Sequence, residues 1–117
     1  MGDLTKNFSK SEFACTCCGE TKINKELVGV LQQLREDLKG FVTVTSSYRC
    51  PIHNEEVGGA KKSQHLLGTA ADIVVDGVPS CLVYQYLDRK YPDKYGLGMY
   101  RTFTHIDVRK RRSRWDS

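Results

Sequence analysis

The segment Gly96–Arg109, GLGMYRTFTHIDVR, holds two short apolar-rich runs, Gly96 to Tyr100 and Phe103 to Arg109, with a tight link at Arg101 and Thr102 between them. The second run alternates strongly, and a period of two is the pattern of a half-buried strand. Two strands joined by so short a link run antiparallel. Toward the N-terminus, ADIVV (Ala71–Val75), closed by the turn-like DGVP, reads as another strand. Ser80–Lys90 reads as a helix, with Ser80 as a candidate cap and Pro92 as its stop. FVTVTSSYR (Phe41–Arg49) is a β-branched, extended run, and a long polar loop follows it from Cys50 to Gln64. In Asn24–Lys39, Leu27, Leu31, Leu34 and Leu38 recur at steps of four, three and four. Asn24 is a plausible N-cap there, Glu26 lies in the first turn and Gly40 stands just past the end. The order helix, strand, loop, strand, helix, strand, strand predicts an α+β fold, a small antiparallel-rich sheet with helices packed on one side.

The chain of 117 residues suits one domain, expected to span 1–117 and to be monomeric. With 39% hydrophobic and 27% charged residues it has the composition of an ordinary globular protein. No apolar run approaches the roughly 20 residues that a membrane span requires. The polar start, MGDLTKNFSKSEF, lacks the apolar core of a secretory signal, so synthesis in a cytoplasm without a signal of its own is expected. Five cysteines, three of them in CTCC (Cys15, Cys17, Cys18), form an odd set that fits reduced thiols better than a disulfide scaffold. The net charge of +4 is concentrated in the last nine residues, where Arg109, Lys110, Arg111, Arg112 and Arg114 form a basic tail from about 109. Such a tail is either a solvated end or a contact for an anionic polymer such as nucleic acid or a phosphate-rich wall polymer.

The histidines are His53, His65 and His105. In SQHLLGTAADIVV (Ser63–Val75), His65 and Asp72 stand seven residues apart with mostly apolar residues between them. Burying an unpaired carboxylate and imidazole there would cost several kcal/mol, so each needs a compensating partner. His105 lies on the last strand, and neighbouring strands are about 4.8 Å apart, so all three side chains can converge. Two imidazoles and one carboxylate are the donor set of a catalytic zinc site whose fourth position holds water. Gly68 lets the backbone turn between the ligands, and Ala70 and Ala71 leave space against the sheet. A buried histidine hydrogen-bonded to an aspartate, with no metal, explains the same residues. His53, in the loop, is assigned no role. The cysteine cluster with Cys50 offers thiolates for a second, structural zinc, although CTCC is not a well-spaced ligand pair. Cys81 reads as a buried small hydrophobe, and Leu82, Tyr84, Tyr86 and Leu87 as a helix face covering the sheet.

SQHLLGTAAD matches at every fixed position the Ser-x-His-x-x-Gly-x-Ala-x-Asp signature of the M15 zinc peptidases, the D-alanyl-D-alanine carboxypeptidase and peptidoglycan endopeptidase group. YRTFTHIDVR resembles the second motif of that family, and SSYRCPIHN its upstream Ser-x-Tyr-Arg segment, so the resemblance runs from about Thr43 to Arg109. It implies a Hedgehog/DD-peptidase-like fold, shared with lysostaphin-type peptidases and the Hedgehog signalling domain. His65, Asp72 and His105 would hold one zinc ion. Arg49 matches the arginine that grips a substrate carboxylate, and Ser63 the serine that helps to orient substrate. Many members carry an acid three residues before the last histidine ligand, where this chain has Thr102. Asp107 is then the expected catalytic base, since residues two apart on a strand share a face and lie about 6.6 Å apart. The other role open to Asp107 is to orient His105 or another ligand. The activity implied is zinc-dependent hydrolysis of amide bonds in peptidoglycan stem peptides, as a D,D-carboxypeptidase or endopeptidase. A phage or prophage lytic or tail-associated enzyme, delivered to the cell wall by other machinery, fits that activity. The alternative is a zinc-containing binding or assembly module of the same fold without hydrolysis.

Overall fold

A computed structural model of the chain describes residues 8–15, 21–22, 24–56 and 64–116. Helix α1, Lys25–Leu38, forms where the leucine spacing predicts it. The Asn24 side chain caps it by accepting the Leu27 N–H at 3.0 Å. Its Leu27, Val28, Val30, Leu31 and Leu34 are buried. The left-handed residue that closes it is Lys39, with φ of 54°, not Gly40. Gly40 is a glycine for another reason, since a Cβ there would stand 2.7 Å from the Asp76 carbonyl oxygen.

Five strands make one sheet: β1 (Val42–Ser46), β2 (Ala70–Val75), β3 (Gly96–Met99), β4 (Thr104–Asp107) and β5 (Ser113–Asp116), in the order β1-β2-β4-β3-β5. The pairs β1–β2, β2–β4 and β3–β4 are antiparallel, as the short link between β3 and β4 requires, whereas β5 lies parallel to β3. The sheet is therefore antiparallel-rich but mixed. At the link, Tyr100 N–H donates to the Phe103 carbonyl at 3.1 Å, and the two rings stack at 4.5 Å.

β5 takes part of the expected basic tail into the sheet. Alternation along β5 turns Arg114 inward, where only 8% of its side chain is exposed. Its guanidinium donates to Asp88 Oδ1 at 2.6 Å and to the carbonyls of Tyr95 and Tyr91 at 2.6 and 2.7 Å. This arginine is a structural donor with its partners supplied by the turn after helix α3 (Ser80–Lys90) and by α3 itself. Lys110, Arg111 and Arg112 remain exposed.

The segment expected as one long loop, Cys50 to Gln64, contains helix α2, Pro51–Glu56, and ends where a 3-10 turn, Gln64–Leu67, begins. Pro51 suits a first helical position, where its missing N–H costs nothing, and Asn54 N–H closes the first turn on the Cys50 carbonyl at 2.9 Å. His53 thus sits on a helix rather than in a loop. In α3, Ser80 is the first helical residue rather than the cap; Pro79 takes the cap position, and Ser80 Oγ donates instead to the Tyr100 carbonyl at 2.6 Å. Val83 and Leu87 of α3 are buried, while Leu82 and Cys81 are exposed, so Cys81 is not the buried residue expected. A 3-10 turn at Lys10–Phe13 brings Phe8 and Phe13 into the core.

One core joins α1, α3 and one face of the sheet, through Val42, Ala71, Ile73, Val75, Leu97 and Ile106. The strand period of two sends Asp72, Gly98, His105 and Asp107 to the opposite face. The helices and the apolar core therefore act as a rigid backing for a polar face. Among the described residues, no helix is long and apolar enough to cross a membrane.

Candidate metal centre

Asp72 and His105 are directly opposed partners in the β2–β4 ladder, so their side chains rise side by side from the polar face. Asp72 Oδ1 lies 2.9 Å from His105 Nδ1 and 3.4 Å from His65 Nε2. One donor atom from each of the three residues lies within 4.8 Å of the others, and all three residues are buried. In a tetrahedral zinc site with bonds of about 2.0–2.1 Å, neighbouring donors stand about 3.3 Å apart. The His65–Asp72 separation matches that spacing, and the His105–Asp72 separation is tighter, at a hydrogen-bond distance. The trio could hold a metal ion.

His65 comes from the Gln64–Leu67 turn, not from a strand. The turn ends at Gly68, whose φ of 73° and whose closeness to Lys22 (an added Cβ would lie 2.6 Å from the Lys22 Cβ) both require glycine. The His65 ring is fixed by Ser47, whose carbonyl oxygen lies 2.6 Å from Nδ1. A carbonyl only accepts, so Nδ1 carries a proton, and Nε2 is the ring nitrogen that faces Asp72. Ser47 is placed for this by a bulge in β1, where the register slips between Val44 and Ser46. The Thr45 hydroxyl at the bulge donates to the Asp72 carbonyl at 3.1 Å.

Charge is closely balanced here. Burial pushes the Asp72 carboxyl up, but hydrogen bonds from His105 and His65 outweigh it and bring it down to about 2. For His105, burial favours the neutral ring, and the carboxylates of Asp107 and Asp72 together overcome that and raise it. Asp107 is held well below the usual carboxylate range, because hydrogen bonds from His105 and Arg109 outweigh its burial. Its Oδ2 is 2.8 Å from His105 Nε2, and Arg109 grips it through Nε at 2.7 Å and Nη2 at 2.8 Å. Arg49 stands at the edge: Nη2 is 3.9 Å from Asp72 Oδ2, Nη1 donates to Asn54 Oδ1 at 3.2 Å, and its backbone N–H donates to the His65 carbonyl at 3.1 Å.

The structure thus gathers His65, Asp72, His105, Asp107 and Arg49; Ser63 lies outside the described residues, and Thr102 is exposed in the β3–β4 link. Of the cysteine cluster, Cys15 and Cys50 meet, with Cys50 N–H 3.4 Å from Cys15 Sγ in a buried setting, while Cys17 and Cys18 also lie outside the described residues. Sequence reasoning missed Ser47, Asn54, Arg109 and Trp115. One signal for the last two was legible: Gly96 and Gly98 alternate on the polar face of β3, where a Cβ would collide with the Asp107 and Arg109 side chains and with the Trp115 ring respectively.

An α+β domain with two imidazoles and a carboxylate clustered on the open face of its sheet is the framework of a candidate metallohydrolase. The family model of Peptidase M15 matches residues 6–107, and the chain belongs to that family. No curated protein matches the chain. M15 peptidases are metallopeptidases, so the chain is assigned as a hydrolase of peptide substrates with a possible metal site at His65, Asp72 and His105. The match includes those three residues and Asp107, and stops before Arg109 and β5.

Proposed function

We propose that the chain is a zinc metallopeptidase that hydrolyses amide bonds in peptidoglycan stem peptides, as a D,D-carboxypeptidase or endopeptidase, with one ion held by His65, Asp72 and His105. The observation that carries this reading is the meeting of His65 Nε2, His105 and Asp72 Oδ1 within 4.8 Å, on a chain of the M15 family. Zinc, when bound, supplies a Lewis acid for the scissile carbonyl and makes water nucleophilic near neutral pH. With His65 Nδ1 held to the Ser47 carbonyl and His105 Nε2 held to Asp107, the nitrogens that would ligate the metal are His65 Nε2 and His105 Nδ1, the two that face Asp72. Arg49 offers a fork for a substrate carboxylate, and Ser63 orients the peptide. In this reading Asp107 serves as an orienting carboxylate rather than as the base, because both of its oxygens are engaged and its side chain is wholly buried. A phage or prophage lytic or tail-associated role, with delivery to the wall by other machinery, belongs to the same proposal.

The commitment of Asp107 also favours a second reading, a binding or assembly module that keeps the zinc without hydrolysis. Metal analysis combined with mass spectrometry of defined peptidoglycan separates the two. The peptidase reading expects about one zinc per chain and stem-peptide fragments whose new ends name the bond. A zinc-loaded protein that leaves every peptide intact establishes the binding module, and a chain that takes up no zinc removes both.

A further inference from the structure

We propose that the C-terminal strand β5 completes the candidate metal centre, with Trp115 as the positioning residue that holds the His105 imidazole toward Asp72 and His65. This rests on the zinc reading above and concerns residues past Asp107, where the family match ends.

Trp115 does not neighbour His105 in the sheet. It lies on β5, His105 lies on β4, and β3 runs between them, with Gly98 paired to both residues in register. Two strand spacings are about 9.6 Å, a gap an indole closes only where the intervening residue has no side chain. Gly98 meets that condition, since an added Cβ there would collide with the indole. The Trp115 ring reaches across it and lies 5.1 Å from the His105 ring centroid, at 47°. The indole is itself fixed, because its Nε1–H donates to the Tyr100 hydroxyl at 3.0 Å, and the Arg109 guanidinium sits 5.4 Å over the ring. Arg109 grips Asp107, and Asp107 accepts from His105. The four side chains form a closed loop of contacts, Trp115 to His105 to Asp107 to Arg109 and back. An imidazole turned half a revolution about its Cβ–Cγ bond has almost the same shape but presents carbon where nitrogen stood. Packing against Trp115 and against the His65 ring, whose centroid lies 5.1 Å away at 68°, sets the plane of His105; the carboxylates then choose between its two orientations.

The chain has one tryptophan, so its fluorescence reports Trp115 alone. Titration of the unmodified protein with cobalt(II), a paramagnetic stand-in for zinc, is expected to quench that fluorescence in step with binding. Cobalt that binds without quenching overturns the proposal. Trp115→Ala is expected to weaken zinc binding, measured against a competing chelator, by about 10–100-fold and to alter the visible spectrum of the cobalt form. Trp115→Phe, which keeps an aromatic face, restores most of the affinity, and Gly98→Ala, which displaces the indole, shifts it in the same direction as Trp115→Ala. Thermal unfolding of the metal-free variants separates lost folding from lost positioning, and Gly98→Ala decides the matter where Trp115→Ala does not fold. Folded Trp115→Ala and Gly98→Ala with unchanged affinity and unchanged cobalt spectra overturn the proposal. If the unmodified protein binds no metal, the zinc reading falls by itself. The positioning claim is then decided by the His105 ring 15N shifts, which move between wild type and Gly98→Ala if it holds and coincide if it fails.

Discussion

Asp107 accepts a hydrogen bond from His105 Nε2 at 2.8 Å while its own side chain is completely shielded from solvent. Its other contacts are to Arg109, whose guanidinium binds both carboxylate oxygens. Asp107→Asn keeps the shape and one acceptor but turns an NH2 group toward a donor and leaves the Arg109 charge without its partner. Arg109 is about one-third exposed, so water replaces part of that loss. The expected cost is about 2 kcal/mol of unfolding free energy, read from urea denaturation of the metal-free protein. Zinc affinity is expected to fall by about 10–100-fold, read separately by chelator competition. A variant that keeps full affinity and loses only turnover would return Asp107 to the role of base.

Metal binding at the trio must compete with protons on the imidazoles. Asp72 is ionised down to about pH 2, so acid acts on the histidines first. An ordinary histidine titrates near 6.5, and the two carboxylates around His105 raise it, so protons compete with zinc from above pH 6.5 and occupancy is expected to drop as the pH falls from 7.5 through that value. Dialysis at a series of pH values followed by elemental analysis measures this. His65→Ala and His105→Ala should each be largely zinc-free even at pH 7.5. Occupancy that is flat from pH 7.5 to 4.5 would remove the imidazoles as ligands.

The parts of this fold set by local pattern were legible in the sequence, and those set by distant partners were not. α1, α3 and the core of β2 follow from periodicity, and the pairing of β3 with β4 follows from the short link between them. The clustering of the trio was legible because metal donors are chemically rare, and His65, Asp72 and His105 fall in short motifs that resemble those of the M15 family. β5 was not legible: SRWD follows the basic run Arg109–Arg112 and reads as part of the same tail, and only the carbonyls of Tyr91 and Tyr95 together with Asp88 explain why Arg114 turns inward. The Ser47 carbonyl was equally hidden, because a backbone acceptor leaves no trace in residue type. The cap of α3 misled for a related reason, since Ser80 Oγ finds its partner 20 residues away at Tyr100 rather than in its own helix.

Tyr95 gives the fold an alkaline limit. Its phenol is buried and donates to Glu26 Oε2 at 2.7 Å, tying the turn after α3 to the first turn of α1. Burial, and then the hydrogen bond to Glu26, push its pKa well above the ordinary tyrosine value of about 10. Because the folded value exceeds the unfolded one, the contribution of Tyr95 to stability is complete below about pH 10 and is lost as the pH rises from there toward the folded value. Tyr95→Phe should cost about 1 kcal/mol at pH 7 through the lost hydrogen bond. Between pH 10 and 11 the variant should lose stability less steeply than wild type, as measured by urea midpoints. Parallel slopes for the two proteins would show that Tyr95 already titrates normally.

Under the peptidase reading, Arg49 is the residue assigned to the carboxylate end of a substrate. Its Nη1 is tied to Asn54 and its Nη2 stands 3.9 Å from Asp72, so the guanidinium is held at the rim of the site with 15% of the side chain exposed. A lysine there keeps the charge but loses the planar fork that matches a carboxylate. Arg49→Lys is therefore expected to raise KM about tenfold for peptides with a free C-terminal carboxylate and to change kcat much less. Amidated versions of the same peptides remove the group being read, so wild type and variant should handle them alike. If the variant instead loses equally on free and amidated peptides, Arg49 acts by holding Asp72 and Asn54 in place, and carboxylate recognition must be sought elsewhere on the polar face.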